Sequence, residues 1–420
     1  MNTPKLKRLA QDRFLKGSAL IFIAVVLANL FNYLYQITMG RLLTIDEFGE
    51  VNAIISFITI FSLPLGALTN YFAHETSTYL AQDHLTSVKN LHRTGLRKTL
   101  WVALVISLGI LLLSPLIANY LEVSVGKIIF IIPIFLTTAL AATNTGIIQG
   151  LQNFFKLSKL NIYASGLKLV LSVILVLIGW KIYGALGGLA LSLLLSLVYS
   201  QLIINRELPR SKDILEIRFS QIYGYIGALF FANAFFVIMT QADLILVRHS
   251  FPPESTGLFA SASVLGKAVL IVPATLVITL FPMVASNRAV GISSADMLVK
   301  ALILTLALSG CGALVLFFFS EIIITLMFSK RYLGAAEVCA MYGLAMMPMA
   351  AVYILMNFLL AQKKTSCVLF LGIAVIFELA GISLFGKDLM TVLLILFCTG
   401  CLALLPMVGH IFLIYKGKQN

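Results

Sequence analysis

Apolar residues run along this chain in blocks of about twenty, separated by short polar stretches. A helix that crosses a bilayer needs about 20 predominantly apolar residues. By that measure the first half holds spans over Gly17–Thr38, Val51–Tyr71, Leu100–Asn119, Ile128–Ile148, Asn161–Trp180 and Gly184–Ile204. The second half holds Ile222–Val247, Leu258–Met283, Ala301–Phe319, Val338–Leu360, Ser366–Phe385 and Met390–Tyr415, about twelve in all. Unpaired backbone groups are intolerable in hydrocarbon and the runs are too long for barrel strands, so the pattern predicts an all-α polytopic membrane protein. Polar residues inside the blocks keep helical spacing. Asn29, Asn32 and Gln36 fall on one face of the first span, and Asn52, Ser56 and Thr59 on one face of the second. Such faces serve interhelical hydrogen bonding or wall a wet cavity, and the spacing is compatible with both. Pro64, Pro115, Pro133, Pro273, Pro282, Pro348 and Pro406 are expected to bend their helices.

The pattern repeats. Gln36, Arg41, Glu47, Gly49 and Pro64 recur in order as Asp243, Arg248, Glu254, Gly257 and Pro273, with gaps that differ by at most one residue. A second pair of matching turns follows the fourth and tenth spans. In each a Gln (Gln152, Gln362) closes the helix, a basic turn follows, and an ionisable residue (Lys168, Glu378) comes sixteen positions later inside the next span. Asn205–Gln221 is the charged linker, interrupted by Pro209. We therefore expect two six-helix lobes, residues 1–208 and 209–420. An even helix count gives both lobes one orientation, related by a pseudo-two-fold along the membrane normal, a frame suited to alternating access.

Composition agrees with the pattern. Of 420 residues 60% are hydrophobic and 11% charged, with a mean hydropathy of +1.01, against about 25% charged in soluble domains. The net charge of +13 reads as topology. With the N-terminus inside, termini and even-numbered loops hold most Lys and Arg, including Lys5, Lys7, Arg8, Arg97, Lys98, Arg206 and Lys363; the odd-numbered loops hold Arg41, Lys127, Lys181, Arg248, Lys330, Arg331 and Lys387. This places both termini in the cytoplasm and argues against a nucleic-acid partner. The basic N-terminus precedes an apolar run longer than a signal peptide's, so it reads as an uncleaved first helix. The longest soluble stretch, His74 to Thr99, is basic and amphipathic and is expected to lie along the inner membrane surface. Trp101 and Trp180 mark interfaces. Cys311, Cys339, Cys367, Cys398 and Cys401 lie in or near spans with no His or acidic neighbours at Cys398 and Cys401, which favours packing over metal or redox chemistry. No metal, cofactor or catalytic group is expected.

Charged residues inside spans are costly, and they normally face a bundle interior or a wet path. Lys168 and Lys267 are candidate contacts for an anionic substrate, with Asn29, Asn32 and Gln36 as candidate cavity walls. Asp243 and Glu378 are candidates for ion coupling, Asp243 equally for pairing with Arg248 or Lys267; His410 reads as a packed or interfacial residue. Asp46 and Glu47 in the first outer loop have the form of an acid/base pair for a membrane glycosyltransferase. That loop is too short to shelter sugar transfer, however, and the pair reads better as capping or solvating a helix end. Enzymatic activity is not expected.

The stretches GRLLTIDEFGEVNA, IIQGLQNFFKLSKL and DLILVRHSFPPESTGLFASASVLGKAVLIVPA resemble those of polysaccharide biosynthesis proteins, or oligosaccharide flippases, of the multidrug/oligosaccharidyl-lipid/polysaccharide exporter superfamily. The resemblance covers nearly the whole chain in helix count, topology and halves. It implies a flippase that turns an undecaprenyl-diphosphate-linked oligosaccharide across the bacterial inner membrane for O-antigen, capsule or exopolysaccharide synthesis. It also implies membrane lipids, a glycan polymerase and glycosyltransferases as partners. Many members have a cationic cavity, which Lys168 and Lys267 match; family cavities often carry Arg, and no span here has an Arg at its centre. A cation-coupled multidrug exporter of the same superfamily is the alternative.

Overall fold

Helices and membrane crossings do not correspond one to one in this chain. The computed structural model describes residues 4–82, 84–208, 225–271, 273, 276–277, 284 and 295–416. Among the described residues nine helical stretches are long and apolar enough to cross a membrane, ten if a bent pair counts as one span. One of the nine, Phe154–Glu207, has 54 residues. At 1.5 Å per residue it would be about 80 Å long, far more than the ~30 Å hydrocarbon core. It is a hairpin, because Gly179 (φ 102°) and Lys181 (φ 44°) break the run and the two arms then pack together. A Cβ at Gly188 would lie 2.3 Å from the Ser172 nitrogen, so only glycine lets the arms approach this closely. The eighth expected span is described as far as Ile271 and at scattered positions beyond; the rest of Leu258–Met283, including Pro282, lies outside the described residues, as do linker positions 209–221.

The first unit comprises Met1–Leu42 and Ser62–Ile222. Its helices are α1 (Pro4–Leu42), α3 (Leu63–Ala81), α4 (Leu85–Tyr120), α5 (Val125–Ile129), α6 (Ile131–Gly150), α7 (Phe154–Leu175) and α8 (Lys181–Glu207). α6 lies against α3, α4 and α8, and α1 packs along α7. α4 turns a lipid-type face outward, with Val105, Leu112 and Leu116 exposed. Its other face is buried and carries Ala103, Ser107 and Ser114.

The second unit comprises Leu43–Phe61 and Tyr223–Asn420. It holds α2 (Ile45–Phe61), α9 (Tyr225–Ser250), α10 (Pro253–Gly266, continued by a 3-10 turn over Lys267–Leu270), α11 (Ala295–Met327), α12 (Ala336–Ala361), α13 (Ser366–Phe385) and α14 (Leu389–Lys416). α12 is its central helix, packed on α10, α11 and α14 and buried over most of its length. α11 kinks at Phe319, with no proline in the helix.

Three sequence expectations change in detail. The second span is two helices, α2 and α3, bent by 44° at Ser62, where Pro64 starts the new helix at a position that needs no amide donor. α2 groups with α9 and α10. The stretch from His74 to Thr99 is not a separate surface helix. It forms the ends of α3 and α4, and its apolar face is satisfied within the protein: Val88 and Leu91 are buried, and a Cβ at Gly95 would lie 2.4 Å from the Phe72 ring. In the repeated turns, the residue with left-handed backbone is Gln152 in one and Lys363 in the other (φ 56° in both). Each turn closes with the same amide bonds, Asn153 to the Ile148 carbonyl and Lys364 to the Leu359 carbonyl. The structural register therefore runs one residue off the Gln152–Gln362 alignment.

The anchors of the first repeat meet in space. Gly49 and Gly257 are each the fifth residue of their helix, α2 and α10. A Cβ on Gly49 would lie 2.6 Å from the Gly257 nitrogen, and a Cβ on Gly257 would lie 2.0 Å from the Ile45 carbonyl oxygen. Two backbones touch here, and any side chain would hold them apart.

Candidate functional site

The first unit presents a cation inside a spanning helix. α7 is held at its start by Asn153, whose side chain accepts from the Lys156 amide at 3.2 Å and donates to Glu207 at 2.6 Å. Lys156 also pairs with Glu207, which pins the start of α7 to the end of α8. Fourteen residues into this helix, Lys168 reaches across to α1. Its ammonium donates to the Asn32 side-chain oxygen at 2.8 Å and sits 4.2 Å from the centroid of the Tyr35 ring. Among the described residues Lys168 has no carboxylate within ion-pair distance. A neutral amide and an aromatic face stabilise the ammonium without cancelling its charge. Asn29 and Gln36 lie half-buried on the same side of α1, and Gln36 Oε1 and Tyr35 Oη are buried without hydrogen-bond partners. The structure thus brings together Lys168 and Asn32 in one contact, with unused polar capacity one turn along α1.

The second unit builds a different arrangement. Asp243 on α9 is fully buried and accepts a hydrogen bond from Tyr342 Oη on α12. Lys267, at the end of α10, places its ammonium 3.7 Å from Asp243 Oδ1 with its side chain 18% exposed. Glu378 on α13 is 1% exposed, both its oxygens lack hydrogen-bond partners, and it feels the charges of Lys267 and Asp243. Ser263 donates to Tyr342 Oη at 3.1 Å. Gly266 makes room for the tyrosine, since a Cβ there would lie 2.3 Å from the ring. One ammonium facing two carboxylates leaves a net negative charge when all three are ionised. In a medium of low dielectric such a cluster favours taking up one further cation or proton.

Lys267 is therefore an ion-pair partner of Asp243 in this structure. Arg248 is buried and has interactions of its own. Nothing in the sequence neighbourhood of Tyr342 distinguishes it from a packed aromatic. A second unforeseen cluster joins α4, α6 and α8. His92 Nε2 lies 2.8 Å from Asn144 Oδ1, and Asn144 Nδ2 donates to Ser200 at 2.9 Å, all buried. In sequence His92 falls within a stretch that reads as a surface segment.

Other candidates resolve simply. Thr44 and Glu47 form a reciprocal capping box at the start of α2, amide to side chain at 3.1 and 3.2 Å. Asp46 sits beside it in the first turn. His410 packs against Phe370 with ring centroids 6.2 Å apart. The five cysteines are free, and no group of three or more His, Cys, Asp or Glu able to hold a metal occurs among the described residues.

Long apolar helices with ionisable clusters buried in their cores define a polytopic membrane protein. Solved structures of that type share the fold. A multidrug resistance MATE family transporter of the MOP superfamily, in an inward-facing conformation, superposes with a TM-score of 0.75 at 12% identity over 93% of this chain and 96% of that one. The lipid II flippase MurJ, in an inward closed conformation, gives 0.74 at 15% over 94% and 87%. A MOP superfamily transporter from Pyrococcus furiosus gives 0.66 at 13% over 94% of both chains. No curated protein matches in sequence. The family described as polysaccharide biosynthesis protein matches residues 14–288, and the chain belongs to that family.

Proposed function

We propose that this protein is a flippase that translocates an undecaprenyl-diphosphate-linked oligosaccharide across the bacterial inner membrane, by alternating access, with both termini in the cytoplasm. The cargo feeds O-antigen, capsule or exopolysaccharide assembly, with glycosyltransferases supplying it and a polymerase consuming it. The observation that carries the reading is Lys168, an ammonium in a spanning helix with no carboxylate within ion-pair distance among the described residues. Carrying a diphosphate through hydrocarbon requires a compensating cation, and an ammonium provides one without demanding a single phosphate geometry. Asn29, Asn32 and Gln36 supply neutral hydrogen-bonding groups for phosphate or sugar beside it. Lys267 joins the cargo path when its pairing with Asp243 loosens. Asp243 and Glu378 couple transport to a cation, whose binding competes with Lys267 for the carboxylates.

The test is replacement of Lys168 by Gln at normal expression. Loss of surface polymer supports the reading, and undiminished polymer removes Lys168 from it. The buried carboxylate pair also suits a cation-coupled multidrug exporter. A drug-susceptibility panel separates the two, because an exporter changes drug tolerance while leaving polymer intact.

A further inference from the structure

We propose that a groove on the first unit, walled by α3, α4 and α6, is a binding site for an anionic glycerophospholipid. This inference is independent of the transport reading. The groove encloses about 250 Å³ and is lined by Leu65 and Leu68 of α3, Phe135 of α6, and Val102 and Ile106 of α4. Its floor is made by small residues, Ala103 and Ala139, exposed by 2% and 1%. Two alanines in the lining leave a furrow between helices, where larger side chains would have filled it. From Lys98 to Ile106 the furrow follows α4 for about 12 Å at 1.5 Å per residue, a length that suits part of an acyl chain.

The charge at one end selects the headgroup. Lys98 lines the groove mouth, and Arg93 and Arg97 are exposed one turn apart on the same helix. Thr99, the polar residue inside the mouth, already bonds Thr143 at 3.1 Å, so it makes no competing demand. Across α3, α4 and α6 the sole acidic side chain is Glu75, which lies 3.4 Å from His74. Trp101 is 64% exposed directly after this basic cluster, and Val102 and Val105 are exposed beyond it. An exposed Trp between basic and apolar surfaces marks the boundary between headgroups and hydrocarbon. A lipid with its phosphate at Lys98 and one chain in the furrow satisfies both ends at once. The groove runs inward from that boundary, as a lipid resident in one leaflet does, and basic pockets of this kind attract anionic headgroups.

The test uses the full-length protein in detergent, titrated with phosphatidylglycerol, phosphatidylcholine or a short-chain isoprenyl phosphate and read by native mass spectrometry. Phosphatidylglycerol should bind more tightly than phosphatidylcholine. Lys98→Gln should weaken phosphatidylglycerol about fivefold, the effect of one basic residue at a membrane surface, and weaken phosphatidylcholine less, because its choline offsets the phosphate charge. Val102→Trp, which fills the furrow from its exposed rim without disturbing the core, should weaken both phospholipids; should Lys98→Gln fail to express, Arg97→Gln tests the headgroup in its place. Equal binding of the two phospholipids, or no effect of the charge variants, overturns the proposal. Isoprenyl phosphate that binds there more tightly than phosphatidylglycerol also overturns it, because the groove then belongs to a polyprenyl tail.

Discussion

Replacing Lys267 by Met tests the buried cluster of the second unit most sharply. The ammonium stands 3.7 Å from Asp243 Oδ1, where the Coulomb attraction at an effective dielectric near 20 is about 4–5 kcal/mol. Desolvating both ions offsets much of that gain, so the pair adds little net stability. Removing one partner is different, because it strands two buried carboxylates, Asp243 and Glu378, without the Lys267 ammonium. Breaking a buried pair in this way costs about 3–5 kcal/mol. Asp243→Asn combined with Lys267→Met removes one stranded charge, and the amide oxygen still accepts from Tyr342. The double variant should therefore recover much of the loss, with a coupling energy of about 1–3 kcal/mol in a double-mutant cycle. The assay is thermal unfolding of detergent-solubilised protein, read from dye binding to newly exposed cysteines. Additivity within about 0.5 kcal/mol, or a Lys267→Met variant as stable as the parent, would refute the ion-pair account.

Two further variants probe the packing. Gly257→Leu forces a side chain onto the Ile45 carbonyl, which a Cβ alone would approach to 2.0 Å; it should destabilise the fold by at least about 1–3 kcal/mol, whereas Gly66→Leu, with open space around its Cβ, should be near neutral in the same unfolding assay. Asn144→Ala leaves His92 and Ser200 without their buried partner and should cost about 1–3 kcal/mol, with Ser200→Ala costing less because Asn144 retains His92.

The fold was legible in the sequence because hydrocarbon imposes a simple rule: twenty apolar residues without backbone alternatives become a crossing. The internal repeat was legible for the same reason that it matters. Gly49 and Gly257 recur because two helices touch through their backbones at that point, and no other residue type fits. The break between α2 and α3 was signalled by Pro64, but the packing of α2 with α9 and α10 depends on long-range contacts such as Ser56 to Gln241 at 3.0 Å, which no local pattern encodes. The stretch from His74 to Thr99 misled because an amphipathic helix has one apolar face whether it lies on lipid or on protein. Only the close approach of Gly95 to Phe72 distinguishes the two.

The candidate site divides along similar lines. Ionisable residues inside spans announce themselves by their cost, so Lys168, Lys267, Asp243 and Glu378 could be listed from sequence. Which of them meet could not. Lys267 pairs with Asp243 through helices separated by a turn, whereas Lys168 meets Asn32 and the Tyr35 ring. Tyr342 and Ser263 complete the second cluster, yet each has an ordinary place in an apolar or small-residue run.

The most direct test of the central claim is translocation in proteoliposomes loaded with a fluorescent undecaprenyl-diphosphate oligosaccharide, measured by the fraction reaching the opposite leaflet. The account predicts protein-dependent movement that Lys168→Gln abolishes while the variant's unfolding temperature stays close to that of the parent. Movement at the parent rate in Lys168→Gln, or no movement of this cargo by the parent protein, contradicts it.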